Sequence, residues 1–262
     1  MTFQPVIAGG GMVAWSFLKR TYESQTEALQ NTPSMQRDTE YFAANIGSID
    51  TAEELVSDRR LMRVALGAFG LDADIDNRFF IRTVLEEGTL STDALANKLA
   101  DSRYTEFSKA FGFGDYDTPS TKLSDFGAQI VSSYQTRQFE TAVGDQDDSM
   151  RLALNAAREL SEIADSSTSA DAKWFTVMGS APLRSVFETA LGLPSSFGQL
   201  DLDKQLEVFR NKMDQFSGNG EIDQFATEDV REGLIQRFLL MSQLSGSNSM
   251  NSSQIALTLL QT

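Results

Sequence analysis

Three helical stretches of this sequence close on the same short ending, and that repetition constrains the fold more than any other feature. Residues 58–71 end in Ala68-Phe69-Gly70-Leu71, residues 101–113 in Ala110-Phe111-Gly112-Phe113, and residues 183–193 in Ala190-Leu191-Gly192-Leu193. In the first, Leu61, Val64, Ala65 and Ala68 recur at helical spacing and make one apolar stripe. Asp58 stands where an N-cap belongs, its carboxylate available to the free amides of the first turn. Gly70 suits the left-handed position just past a helix end, and Leu71 can fold back onto the last turn. Asp101, Tyr104, Phe107, Ala110 and Gly112 repeat the scheme one residue shorter. In the third copy Ser180 or Gly179 stands at the start, followed by Leu183, Val186, Ala190 and Gly192. A reused stop signal of this kind sets the angle at which each next helix departs. It predicts an all-α fold, a multi-helix bundle or array with a repeated helix-Gly-helix unit.

The rest of the chain reads as further helices. Residues 12–30 form an amphipathic helix with Trp15, Leu18, Tyr22 and Leu29 on one side, and Ser34 is placed to cap the next, which runs to Ile46. Thr51 and Glu54 have the spacing of a capping box. A helix over 75–86 presents Phe79, Phe80, Val84 and Leu85 and stops at Gly88, and Ser91 caps a helix through Leu95 and Leu99. Residues 123–143 and 150–163 form a central antiparallel pair, broken at Gly144 and capped by Asp147 or Asp148. Residues 165–170 read as an exposed linker, and helices over 202–216 and 228–244 complete the body.

The expected organisation is an N-terminal helical arm (1–44), a first repeated unit (45–120), the central pair (121–175), a second repeated unit (176–245) and a flexible tail with a short apolar helix (246–262), with 45–245 forming one compact domain.

Composition narrows the function. A net charge of −15 repels nucleic acid and anionic membrane, because phosphate binding needs clustered Lys and Arg. The chain has no cysteine and no histidine, which removes thiolate nucleophiles, the commonest zinc ligands and the usual general base. No catalytic residue, metal site or cofactor is therefore expected, and the protein is read as non-enzymatic. Asp72, Asp74 and Asp76 alternate like the opening of a calcium loop, but Asn77 and Thr83 occupy the positions that need Gly and Glu. Residues 217–222 share the flavour and fail likewise, with Ala226 where a carboxylate should close the loop.

No apolar run is long enough to span a bilayer, and the first basic residues, Lys19 and Arg20, follow the apolar start rather than precede it. Synthesis in the cytoplasm without a cleaved signal is the expectation.

Residues that read as partner contacts are Trp15, Leu18 and Tyr22 on the first helix, Arg137 and Glu140 near the central bend, and Ile255, Leu259 and Leu260 at the end. Both terminal stripes have two readings: each docks on the body, or each is ordered only in an assembly.

The run 137–154, Arg137-Gln-Phe-Glu-Thr-Ala-Val-Gly-Asp-Gln-Asp-Asp-Ser-Met-Arg-Leu-Ala-Leu154, with the first two Gly-stop stretches, resembles a bacterial family of unknown function whose members are found with flagellar genes. The resemblance covers most of residues 45–245. It implies a role in flagellar structure, assembly or export, with other flagellar or export proteins as partners, and it supplies no activity, cofactor or catalytic residue. Residues 248–260 also look like the C-terminal end of flagellin-type axial proteins, although the N-terminal half lacks the heptad seam that such a tail pairs with. The function expected is that of a structural or assembly factor acting through protein contacts, with export to the flagellum one location it implies. A cytoplasmic chaperone or adaptor for export substrates is the alternative, and a carboxylate-based hydrolase, built on Arg137, Glu140, Asp145, Asp147 and Arg151, a distant third.

Overall fold

The structure is a computed structural model that describes the backbone of residues 3–260 and the side chains of residues 3–245 apart from Ser195. Among the described residues it has thirteen α-helices and no strand, as the periodicity predicts. In chain order they are α1 (Gly11–Gln30), α2 (Pro33–Asn45), α3 (Ala52–Ser57), α4 (Arg59–Ala68), α5 (Arg78–Glu87), α6 (Leu95–Lys98), α7 (Ser102–Phe111), α8 (Phe126–Gly144), α9 (Asp148–Asp165), α10 (Ala170–Gly179), α11 (Ala181–Leu191), α12 (Leu202–Ser217) and α13 (Glu228–Leu260).

These helices group into two compact units. One comprises Met1–Val6 with Arg20–Val143, the other Ile7–Lys19 with Gly144–Thr262. The division falls between the two helices read as a central pair, because each has its core partners in its own unit.

In the first unit α2 and α3 pack on α4, and α5, α6 and α7 pack on one another. Leu61, Val64, Ala65 and Ala68 are buried, so the predicted stripe of α4 is its core face. Phenylalanines fill the space between α7 and α8. The Phe107 and Phe111 rings lie 5.0 Å apart, and Phe111 meets Phe126 edge-on at 5.0 Å. Edge-on contact sets the positive rim of one ring against the negative face of the other.

In the second unit α9, α11 and α13 pack together. Trp174 is fully buried, stacked on Phe209 at 5.6 Å and edge-on to Phe187 at 5.4 Å. Its indole Nε1 donates to the Gly220 carbonyl at 3.0 Å, so the ring enters the core without leaving a bare donor. Buried Lys173 donates to Asp223 and, at 2.7 Å, to the Ala164 carbonyl at the end of α9. An ammonium there satisfies a helix carbonyl that has no partner inside its own helix.

The three Gly-stop endings have related geometry. Gly70, Gly112 and Gly192 have φ of +69°, +69° and +65°. After α4, the Leu71 amide reaches back to the Leu66 carbonyl at 2.9 Å, and after α11 the Leu193 amide reaches the Glu188 carbonyl at 2.8 Å. Both are six-residue closures that turn the following Leu toward the helix. The copy after α7 is simpler: the Gly112 amide closes on Ser108 at 2.9 Å.

Caps largely follow the sequence reading. Asp58 accepts from the amides of Arg60 and Leu61, Asp101 from Arg103, Asp147 from Met150 and Ser180 from Leu183. Thr51 and Glu54 form the capping box. Four expectations are corrected. Thr32, not Ser34, caps α2, because Pro33 takes the first helical position. Ser91 holds a turn through the Asp93 amide, and α6 starts only at Leu95 without a side-chain cap. Helix α5 starts at Arg78 rather than Ile75, because residues 72–77 are spent on tight turns pinned by Asp74, which accepts from Asn77 and the Tyr104 hydroxyl. The backbone of α13 also continues to Leu260, with no interruption at the polar run 245–249.

Candidate functional site

The first unit has a cavity of about 250 Å³, half open to solvent, between α4, the turn that follows it and α8. Its position follows from the stripe of α4. With Leu61, Val64, Ala65 and Ala68 turned to the core, Arg59 and Arg63 fall one turn apart on the outer face. Helix α8 contributes Tyr134 and Gln138, again one turn apart, and the turn after α4 contributes Asp72 and Ile75. Gly67 allows the approach, for a Cβ there would lie 2.6 Å from Tyr134 Cε2.

The polar groups of the cavity are only partly spent. Arg59 Nη1 donates to Asp76 at 2.5 Å, and Arg63 Nη1 lies 3.3 and 3.5 Å from the two oxygens of Asp38. Gln138 Nε2 donates to Asp72 Oδ1 at 2.9 Å. Tyr134 is only 5% exposed, yet its hydroxyl has no hydrogen-bond partner among the described residues and is not sealed from solvent. Burial pushes its phenol up to about 12; the carboxylates of Asp38 and Asp72 add to that, and the Arg63 guanidinium opposes it. A phenol so held stays protonated near neutrality. It can donate or accept a hydrogen bond but is no base.

The residues predicted as partner contacts lie elsewhere. Trp15 and Leu18 are buried, and the Trp15 indole donates to Glu232 Oε1 at 2.9 Å within the second unit. Lys19 joins the same carboxylate at 3.0 Å. Trp15 and Leu18 thus face the interior of the chain. Tyr22 packs edge-on against Phe139 at 5.2 Å in the first unit. Arg137 pairs with buried Glu140 at 3.6 Å one turn along α8. Asp147 is spent on its cap, and Arg151 pairs with Asp148 at 2.6 Å. Ile255, Leu259 and Leu260 lie outside the residues whose side chains are described.

The aspartates of the calcium-like run diverge to separate partners: Asp72 to Gln138, Asp74 to Asn77 and Tyr104, Asp76 to Arg59. At 217–222 the Asn219 side chain accepts from the Glu221 amide, the geometry of a turn. Sequence reasoning did not single out Arg59, Arg63 or Gln138. The available signal was Gly67, a helix-weakening residue inside an apolar stripe, which marks a close approach.

Comparison with known proteins places the chain in a family. The chain is similar to the crystal structure of protein AGR_C_984 from Agrobacterium tumefaciens, at 27% identity and a TM-score of 0.72, over 92% of this chain and 97% of that one. No curated protein matches the sequence. Residues 68–230 match the family described as protein of unknown function, DUF1217, a span that includes Asp72, Ile75, Tyr134 and Gln138 of the cavity but begins after Arg59 and Arg63. The chain belongs to this family of proteins of unknown function.

Proposed function

We propose that the protein is a non-enzymatic, flagellum-associated structural or assembly factor that works by binding other proteins. The flagellar part rests on the resemblance carried by residues 137–154. The binding part is supported most by one surface of the first unit. Asp115 accepts from the amides of Thr89 and Leu90 and from the Thr89 hydroxyl, which fixes the segment after α5 against the segment after α7. Leu90 and Tyr116 flank this junction and are 74% and 57% exposed. Large apolar groups held outward on a hydrogen-bonded frame suit contact with another protein. The lack of histidine and cysteine in the sequence favours binding over chemistry.

The test is affinity capture from a flagellated bacterium that carries the gene, with wild type beside L90D and Y116D. Recovery of flagellar or export-apparatus proteins by wild type, reduced in the variants, supports the reading. A single unfolded export substrate recovered from cytoplasm would favour the adaptor role instead. Capture that is identical for all three, or that contains no flagellar protein, contradicts the proposal.

A further inference from the structure

We propose that the cavity between α4 and α8 is a receptor for a carboxylate group, held by Arg59, Arg63 and the Tyr134 hydroxyl. The guanidinium groups stand one turn apart on a single helix. Each uses only its Nη1 in the described ion pairs, so Nε and Nη2 of both remain as donors. The Arg63 contacts to Asp38 are long for a charge-assisted bond, which leaves that side chain able to turn to a better acceptor. Tyr134, its ring buried, adds a hydroxyl that reaches solvent in the pocket and has no hydrogen-bond partner among the described residues. A ligand oxygen in the pocket can take the place of water on that hydroxyl.

Asp72 sets the limit on charge. Its carboxylate faces the same space with one oxygen engaged by Gln138. With Asp38 and Asp76 already paired to the two arginines, this third carboxylate opposes a polyanion and admits a single carboxylate only where it displaces Asp38 from Arg63, while the second Asp72 oxygen can accept from a neighbouring hydroxyl or amine. The volume admits a small acid or one acidic side chain, not a cofactor. The inference concerns this cavity alone and does not depend on the flagellar assignment.

Titration of the full chain with glycolate, with its neutral amide glycolamide, and with a blocked Gly-Glu-Gly peptide tests it, followed by nuclear magnetic resonance or calorimetry. Saturable binding of glycolate identifies a free small acid as the source; binding of the peptide alone identifies a protein side chain. Either is expected to weaken about tenfold or more in R63Q and to fall in Y134F, which keeps the ring and removes only the hydroxyl. The proposal is overturned if neither acid binds, if glycolamide binds as well as glycolate, or if folded R63Q and Y134F bind like wild type.

Discussion

Gly67 and Tyr134 are in direct contact across α4 and α8: a Cβ on Gly67 would stand 2.6 Å from Cε2 and 2.7 Å from Cδ2 of the ring. Such distances force something to move. Alanine would add helix propensity of about 1 kcal/mol, but overpacking against a buried ring costs about 1–3 kcal/mol. G67A is expected to lower stability by about 1 kcal/mol net and to disturb the cavity. Chemical denaturation measures this, and a stabilised G67A would show that the ring does not sit where described.

Gly192 separates backbone strain from crowding. The nearest atom to an added Cβ there is Met241 Cε at 3.9 Å, so space is available and only φ of +65° opposes the change. G192A is expected to cost about 1–2 kcal/mol from the left-handed conformation alone. A melting temperature equal to wild type would mean that the Gly-stop geometry after α11 is not required.

Trp15 lies on the apolar stripe that reads as a partner contact, and its burial makes a different prediction. W15F removes the donor to Glu232 while keeping an aromatic ring, and a lost bond to a charged group is worth about 1.5–3 kcal/mol. Burial pushes the Glu232 carboxyl up, but Lys19, Trp15 and Gln236 outweigh it and hold the carboxyl below its ordinary value. W15F should therefore reduce stability and raise the Glu232 pKa, both measurable on isolated protein. Unchanged stability with lost partner capture would return Trp15 to the surface role.

Acid should unfold the protein through its caps. Burial pushes the Asp58 carboxyl up, yet the Tyr41 hydroxyl at 2.6 Å, the amides of Leu61 and Arg60, and the Arg60 charge hold it below the usual range. Asp101 is likewise held low by Arg103 against its burial. A carboxyl with a folded pKa below its unfolded one stabilises above the unfolded pKa, about 4, and loses that contribution as pH falls through the lower folded value. The melting temperature should thus drop below about pH 4, and less steeply in D58N and D101N than in wild type. Parallel curves for all three proteins would contradict this.

Local signals were the legible part of the fold. Asp58, Thr51 with Glu54, Asp147 and Ser180 act on amides two or three residues away, so sequence spacing alone identifies them as caps. Spacing points to Ser34 rather than Thr32 because nothing local shows that Pro33 is the first residue of the helix. The start of α5 was missed because Asp74 is held by Tyr104, a contact thirty residues away that leaves no local trace. The cavity was illegible for the same reason. Arg59 and Arg63 meet Tyr134 and Gln138 only through packing of α8 on α4, and in sequence each reads as an ordinary helix residue. Apolar periodicity marked Trp15 and Leu18, but periodicity cannot tell a core face from a partner face.

Swimming tests the flagellar role most directly. In a flagellated bacterium that carries this gene, an in-frame deletion examined by soft-agar motility and electron microscopy should show fewer or defective flagella, restored by the wild-type gene and poorly by L90D. Normal filaments and undiminished swimming in the deletion strain would contradict a role in flagellar structure or assembly.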